Sequence, residues 1–555
     1  MHRRRGSTSA RGGSRALAAV LTAALLLGGC ARIEAVEGWT PPAWPETSGV
    51  QLVVNAASDA ESGSAGNGES GSSGAGDDAA SGSGAGSDAP APAPDLNELG
   101  FIENRIRNDA LALNLRSVEL PGIHAFNARV AEVVTATIAS VGGTFVPEVY
   151  PVAAGLSDRG CVAGSTTWPA AEVLSDPRTG PAGGSGLALT CEVTAATGSV
   201  VGVTMRTVLG TAAEVSSDTR LTLYADLATD SVFDGGELWS ADAAPALWTA
   251  AVEQVRREAG GLSAAPLAAP AEAQVALAAQ ALASARFESD GSAVLTLPAG
   301  LASPELAGLG VEATPEPTVL RVAAETLAGW QGEVAQALQQ QAGQPFVGLA
   351  PWDARQPVNC AQQACVAVTY DDGPTQYTGA LLDAMQAERA PTTLFMLGSA
   401  AAGNPELVQR AASEGHEIAS HTMSHPDLTT LKPAQVRSEV EGAAKILSDL
   451  TGIPVTMYRP PYGALNAAVL AAEPMPAILW SIDTNDWRKP GTEALVERSV
   501  GAAVPGDIIL FHDTHAESVD AAAVVMRGLK DRGFTPVTVT QLFGGAVPGG
   551  KVTKR

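Results

Sequence analysis

Four short hydrophobic runs in the last third of the chain each end at or near a carboxylate or an imidazole. Val366–Thr369 precedes Asp371 and Asp372, Ile418–Ser420 precedes His421, Ile478–Ile482 precedes Asp483 and Asp486, and Ile508–Phe511 precedes His512. Runs this short, bounded by turn residues, predict buried strands. Between the first two, Asn404-Pro405 marks a helix start and Gly415 its stop. Four capped strands in order predict one site, because residues at the C-terminal ends of parallel strands share the catalytic edge of an α/β barrel.

Upstream the pattern is mixed. Ser199–Met205 and Leu221–Leu227 read as strands, the second with alternation. Pro245–Ala259 reads as a helix stopped by Gly260-Gly261, and Ala271–Ala285 as another. Ala293–Leu297 and Thr318–Val322 read as strands around a polar turn region, and Arg129–Ser140 fits a helix or a strand. The expected plan is a smaller α+β domain over 95–344, a connection over 345–359, an α/β domain over 360–545 and a tail over 546–555.

Composition changes this picture at the N-terminus. Residues 56–94 are Gly, Ser, Ala, Asp and Pro with almost no large apolar side chains, and no Lys or Arg occurs between Arg32 and Arg105. Such a segment buries too little surface to offset its ordering entropy, so 31–94 is expected to be a disordered tether, stiffened by its final Ala-Pro repeats. Arg3, Arg4, Arg5, Arg11 and Arg15 form a basic leader before the apolar run Ala16–Leu27, which is too short to span a bilayer comfortably. It ends in Leu27-Gly28-Gly29-Cys30, which resembles the lipobox of bacterial lipoproteins. That resemblance implies a lipidated Cys30 and a membrane anchor facing the cell wall. A plain secretory signal is the alternative, and the triple Arg lacks the rest of a twin-arginine motif. Each reading exports the protein.

With 555 residues and 45% hydrophobic composition, the chain is too long for one ordinary core. A net charge of -25 repels phosphate backbones, so nucleic acid is not an expected partner. Setting Cys30 aside leaves Cys161, Cys191, Cys360 and Cys365, an even number in an exported chain. Of three pairings, Cys161–Cys191 with Cys360–Cys365 is the simplest, since each bond stays within one domain. A Cys-Cys metal site is the weaker reading, with no histidine close in sequence.

Candidate chemistry concentrates downstream, where five of the seven histidines lie between His416 and His515. In Thr369-Tyr370-Asp371-Asp372-Gly373-Pro374, two adjacent acids divide two jobs, one binding metal while the other stays a base. His421 and His425, four apart on a helix or a tight loop, point both imidazoles one way. With one Asp they make a three-ligand site with an open fourth position, the catalytic pattern for Zn²⁺. Arg459-Pro460-Pro461-Tyr462-Gly463 is a rigid loop with one fixed cation and a backbone N–H available to a developing oxyanion.

These three segments, together with Asp483-Thr484-Asn485-Asp486-Trp487 and Leu510-Phe511-His512, make five that resemble the polysaccharide deacetylase family, also called NodB-homology or carbohydrate esterase family 4. The resemblance covers roughly residues 360–543. It implies a distorted (β/α)7-type barrel and a divalent metal, Zn²⁺ first, with Co²⁺ or Mn²⁺ as alternatives. It implies Asp371 as catalytic base, Asp372, His421 and His425 as metal ligands, and His512 as general acid. Arg459 would position the base, Asp486 would orient His512, and the Tyr462 N–H would meet the oxyanion. Trp487, Leu510 and Pro460 would line the acetyl pocket. His515 is spare and reads as a solvated loop residue. Upstream, Leu223-Tyr224-Ala225-Asp226-Leu227 followed by a helix resembles the extracytoplasmic module of certain anti-sigma factors, implying a wall-related binding or positioning role with an unknown partner. His124, the only histidine there, reads as structural.

The expected function is metal-dependent removal of N-acetyl groups from cell-wall glycan, peptidoglycan N-acetylglucosamine or N-acetylmuramic acid, releasing acetate. The alternatives are a chitooligosaccharide or exopolysaccharide deacetylase, an acetyl-xylan-type esterase, and a wall-glycan-binding protein.

Overall fold

The computed structural model describes residues 49–52, 99–154, 158–261, 266–287, 291–311, 313–314, 317–341 and 343–555. Cys30, the leader and nearly all of the tether lie outside the described residues. Among the described residues no helix is long and apolar enough to cross a membrane.

Upstream, the apolar alternation builds two sheets rather than one. Strand β1 (Val50–Leu52) corrects the expected extent of the tether. Val50 and Leu52 alternate around the exposed Gln51, and Val50, 2% exposed, pairs with Val322. Three residues with two apolar side chains suffice once a partner edge is offered.

Next come β2 (Ile102–Asn108), β3 (Leu113–Glu119), β4 (Ser185–Thr197), β5 (Val200–Thr211), β6 (Val215–Asp226) and β7 (Ser231–Asp234), a six-stranded sheet in that order. All its pairings are antiparallel except β3 with β4. The segment that fitted helix or strand is a helix, His124–Ser140. Phe126, Val130, Val134 and Ile138 recur every fourth residue, which brings them to one face, and they share a core with Leu115, Leu189 and Val203. The Cys161–Cys191 disulfide ties a loop to β4.

Strands β8 (Arg286–Phe287), β9 (Ala293–Leu297) and β10 (Thr318–Val322) complete the second sheet, ordered β1-β10-β9-β8. Leu247, Trp248 and Leu282, from the helices Ala243–Glu258 and Glu272–Ala283, share a separate core with Leu295 and Leu320. The region read as one α+β domain therefore carries two cores. The connection has no regular element, yet it is not loose: Phe346 and Leu349 pack on the first of those cores.

The downstream domain is built on β11 (Ala364–Asp371), all eight residues of which are buried. Around it run β12 (Thr393–Met396), β13 (Glu417–Ser420), β14 (Ala477–Ile478), β15 (Ile482–Asp483), β16 (Ile508–His512), β17 (Phe534–Val537) and β18 (Lys551–Val552). The main sheet is parallel, ordered β13-β12-β11-β16-β15, with β17 against the first half of β11. Its ladders do not close a barrel. Single bridges, Ser420 to Tyr458 and Tyr458 to Ala477, span the gap toward β14. The expected continuous strand Ile478–Ile482 is broken into β14 and β15. At the break the carbonyls of Ile478 and Leu479 accept hydrogen bonds from the Arg459 guanidinium at 3.0 and 3.2 Å. The tail is also corrected: Lys551–Val552 pairs with Ala477–Ile478, and Val552 is buried.

Candidate metal centre and catalytic site

Parallel pairing sets the site. Asp371 and His512 are the last residues of β11 and β16 and are direct register partners. His421 follows β13, and Asp486 follows β15 by three residues. Arg459 comes one residue after the Tyr458 bridge. Residues spread over more than a hundred positions thus reach one edge of the sheet.

Asp372, His421 and His425 converge, with one ligand atom from each lying within 4.8 Å of the others. Asp372 Oδ1 is 3.4 Å from His421 Nε2 and 3.3 Å from His425 Nε2. The His421 Nδ1 lies 2.8 Å from the Arg459 carbonyl oxygen. A carbonyl only accepts, so Nδ1 is the donor, which leaves Nε2 as the ring nitrogen that faces the other two ligand atoms. Asp372 Oδ1 is buried without a hydrogen-bond partner. Burial and the neighbouring His421 hold the His425 pKa down, which favours its neutral, ligating form. Three electron-rich atoms facing each other fit a divalent cation, and the N₂O donor set suits Zn²⁺. Of the two geometries open to the His pair, the structure has the tight loop: Thr422 and His425 have φ of 72° and 64°.

Beside this triad Asp371 is 2% exposed and Arg459 0%. Arg459 Nη1 donates at 2.7 Å to both Asp371 Oδ1 and Thr369 Oγ1, and its guanidinium stacks 4.0 Å over Phe395. The other carboxylate oxygen, Asp371 Oδ2, lies 3.8 Å from His421 Nε2, toward the triad.

Across the edge, Asp486 Oδ1 holds His512 Nδ1 at 2.8 Å, while Oδ2 accepts from the His512 amide at 2.7 Å and from Ser518 Oγ at 2.6 Å. Burial opposes the charged imidazole, but the Asp486 hydrogen bond and the charges of Asp371, Asp486 and Asp372 outweigh it and raise His512 to about 9.

The other expected residues also lie here. Tyr462 has φ 61°, is mostly exposed, and its hydroxyl is 3.1 Å from His425 Nδ1. Leu510 and Pro460 are buried, and Trp487 is half-exposed. The His515 ring lies 6.0 Å from that of His512. Cys360–Cys365 forms its disulfide at the start of β11.

Sequence reasoning missed Thr369, Ser518 and Asp513. Thr369 and Ser518 carry no local signal. Asp513 had one, being an acid directly after His512. It is 1% exposed, and burial pushes its carboxyl up to about 7, partly offset by a hydrogen bond from Thr378. A Cβ on Gly373 would come 2.4 Å from Asp513 Oδ2, so the close approach of these two segments requires glycine at 373.

A polysaccharide deacetylase profile matches residues 359–474. Over 187 residues the chain is 35% identical to a peptidoglycan-N-acetylglucosamine deacetylase of Listeria monocytogenes, covering 34% of this chain and 40% of that protein. It is 35% identical over 181 residues to a peptidoglycan-N-acetylmuramic acid deacetylase of Bacillus subtilis, covering 32% and 39%. It is 36% identical over 197 residues to a chitooligosaccharide deacetylase of a Bradyrhizobium species, covering 32% of this chain and 90% of that one. The chain thus spans about two fifths of the length of the two peptidoglycan enzymes and nearly all of the third.

Proposed function

We propose that this chain, which belongs to the polysaccharide deacetylase family, hydrolyses N-acetyl groups of cell-wall glycan, peptidoglycan first. The observation that carries the chemistry is the presence of two held groups at one three-ligand site. An Arg-paired carboxylate, Asp371, and an Asp-paired imidazole, His512, end two adjacent paired strands beside it. That is the arrangement needed to take a proton from water and to give one to a leaving amine.

Asp372, His421 and His425 would hold the metal, which when bound supplies Lewis-acid polarisation of the acetyl carbonyl and lowers the pKa of water. Asp371, oriented by Arg459, accepts the proton of the attacking water through Oδ2. The Tyr462 N–H donates to the carbonyl oxygen as it gains charge. His512, protonated and held through Nδ1 by Asp486, gives its Nε2 proton to the sugar nitrogen. Pro460, Trp487 and Leu510 enclose the acetyl methyl. The products are acetate and a glucosamine-type amine.

Peptidoglycan is supported by the two named wall deacetylases among the relatives and by the leader ending in Cys30, which would anchor the protein at the membrane facing the wall. A chitooligosaccharide is the second reading, favoured by the relative most fully covered. The upstream sheets hold no cluster of three or more metal-ligating side chains among the described residues, which suits a binding or positioning role.

The test is acetate release by the purified protein from peptidoglycan, chitooligosaccharides and acetyl-xylan, with Zn²⁺, with chelator, and beside Asp371→Asn. Metal-dependent release from peptidoglycan, lost in the variant, is expected. Release from chitooligosaccharides alone moves the substrate, and release from acetyl-xylan alone moves the linkage. No release from any of them by the metal-loaded protein would favour glycan binding. Cys30→Ala is expected to free the protein from the membrane fraction, and retention there would refute the lipid anchor.

A further inference from the structure

The loop carrying both imidazoles lacks regular structure, and two of its non-glycine residues have left-handed backbone. Thr422 and His425 have φ of 72° and 64°, and no helix or strand covers 421–427. Left-handed backbone is unfavourable at such residues and persists only where the surroundings over-determine it. Something must therefore hold the loop.

The largest share of side-chain bonds to the loop comes from Glu439, on the helix Pro433–Thr451. Its Oε2 accepts from the backbone N–H of Met423 at 3.0 Å and of Ser424 at 2.9 Å. Its Oε1 accepts from Ser424 Oγ at 2.9 Å. One residue along the helix, the Val440 carbonyl accepts from Ser420 Oγ at 3.0 Å, just before His421. The helix thus holds the chain just before His421 and the turn between the two imidazole residues. We infer that Glu439 is a positioning residue for the metal centre: it fixes Met423–Ser424 so that His425 stays beside His421 and Asp372. This rests on reading the triad as a metal site.

Reach and charge can be separated. Glu439→Gln keeps the length: its amide oxygen can accept both N–H groups while its nitrogen faces Ser424 Oγ, which can accept. Glu439→Asp keeps the charge but is one methylene too short to make all three bonds. If position is the role, Zn²⁺ dissociation measured by competition with a chromophoric chelator rises about tenfold in Glu439→Asp, as for outer partners of metal ligands. Glu439→Gln should stay within about threefold of the unaltered protein, less than the change expected for a lost outer partner. The visible spectrum of the Co²⁺ form should change in Glu439→Asp and hold in Glu439→Gln. A merely structural role would lower the thermal stability of the metal-free protein and leave affinity and spectrum unmoved, which would overturn the inference. So would a loss in Glu439→Gln matching that in Glu439→Asp, since charge would then be the cause. Failure of the unaltered protein to bind Zn²⁺ would remove the metal reading itself, and the inference with it. Should Glu439→Asp not fold, Ser424→Ala, which removes one of the three bonds, must weaken Zn²⁺ binding, and unchanged affinity there would overturn the inference.

Discussion

Arg459 and His421 are joined through the backbone of one and the ring of the other: His421 Nδ1 meets the Arg459 carbonyl at 2.8 Å. The side chain of the same Arg459 holds Asp371 at 2.7 Å. One residue therefore sets a ligand tautomer with its main chain and the candidate base with its guanidinium. A substitution at 459 keeps the first role and loses the second.

Arg459→Lys should separate the two. Lysine cannot reproduce a fork that reaches Thr369, Asp371, Ile478 and Leu479. Leaving Asp371 buried and poorly paired should cost about 3–5 kcal/mol of stability. Acetate release should fall at least about a hundredfold, by the roughly 2.7 kcal/mol that such a factor represents. Zn²⁺ stoichiometry should persist. Calorimetry, acetate assay and metal analysis on one preparation check all three, and loss of metal in Arg459→Lys would contradict the division.

His512 should set an alkaline limb. Its raised pKa means the charged form persists up to about 9 without metal, and activity falls as pH rises through that value. A bound cation offsets the Asp371 and Asp372 contributions, so the limb in the loaded enzyme should lie at or below 9. Asp486→Asn should move it down toward about 6.5, the ordinary histidine value. For stability the sign is the same: the contribution is full below about pH 6.5 and is lost as pH rises through the folded value. Rate profiles and NMR titration of His512 check both, and an unmoved limb in Asp486→Asn would remove His512 from the acid role.

Metal should stabilise the fold. A ligand bound only by the folded state, present at a thousand times its dissociation constant, contributes about 4 kcal/mol. Thermal unfolding with Zn²⁺ and with chelator should differ accordingly for the unaltered protein. The difference should vanish for His425→Ala, which removes one of the three ligands. A full Zn²⁺ shift retained in His425→Ala would place the metal elsewhere.

The two disulfides should differ in weight. Cys161–Cys191 closes a separation of 30 residues and Cys360–Cys365 one of 5. Loop-closure entropy gives about 3–4 kcal/mol for the first and about 2 kcal/mol for the second. Denaturant unfolding of the two double Cys→Ser variants checks the order, and equal losses would show that the bonds act on the native state instead.

The sequence by itself determined whatever rests on local period and local order. Val366–Thr369 and Ile508–Phe511 became strands where their apolar runs stand, and both expected disulfides formed. Asp371, Asp372, His421, Asp486 and His512 were legible because each sits at or near the end of such a run, while His425 was legible from its spacing to His421 and the role of Arg459 only from the family resemblance of its loop. Only the tertiary structure decided what depends on residues far apart in the chain. It paired Val50 with Val322 and Val552 with Ile478, recruiting segments read as tether and tail. It broke the run at 478–482 into two strands, with the Arg459 guanidinium on the Ile478 and Leu479 carbonyls at the break. It brought Glu439 under the metal loop and Ser518 onto Asp486. A short strand or a lone carboxylate gains its meaning from a partner supplied by distant chain, and no local period of hydrophobic residues encodes that partner.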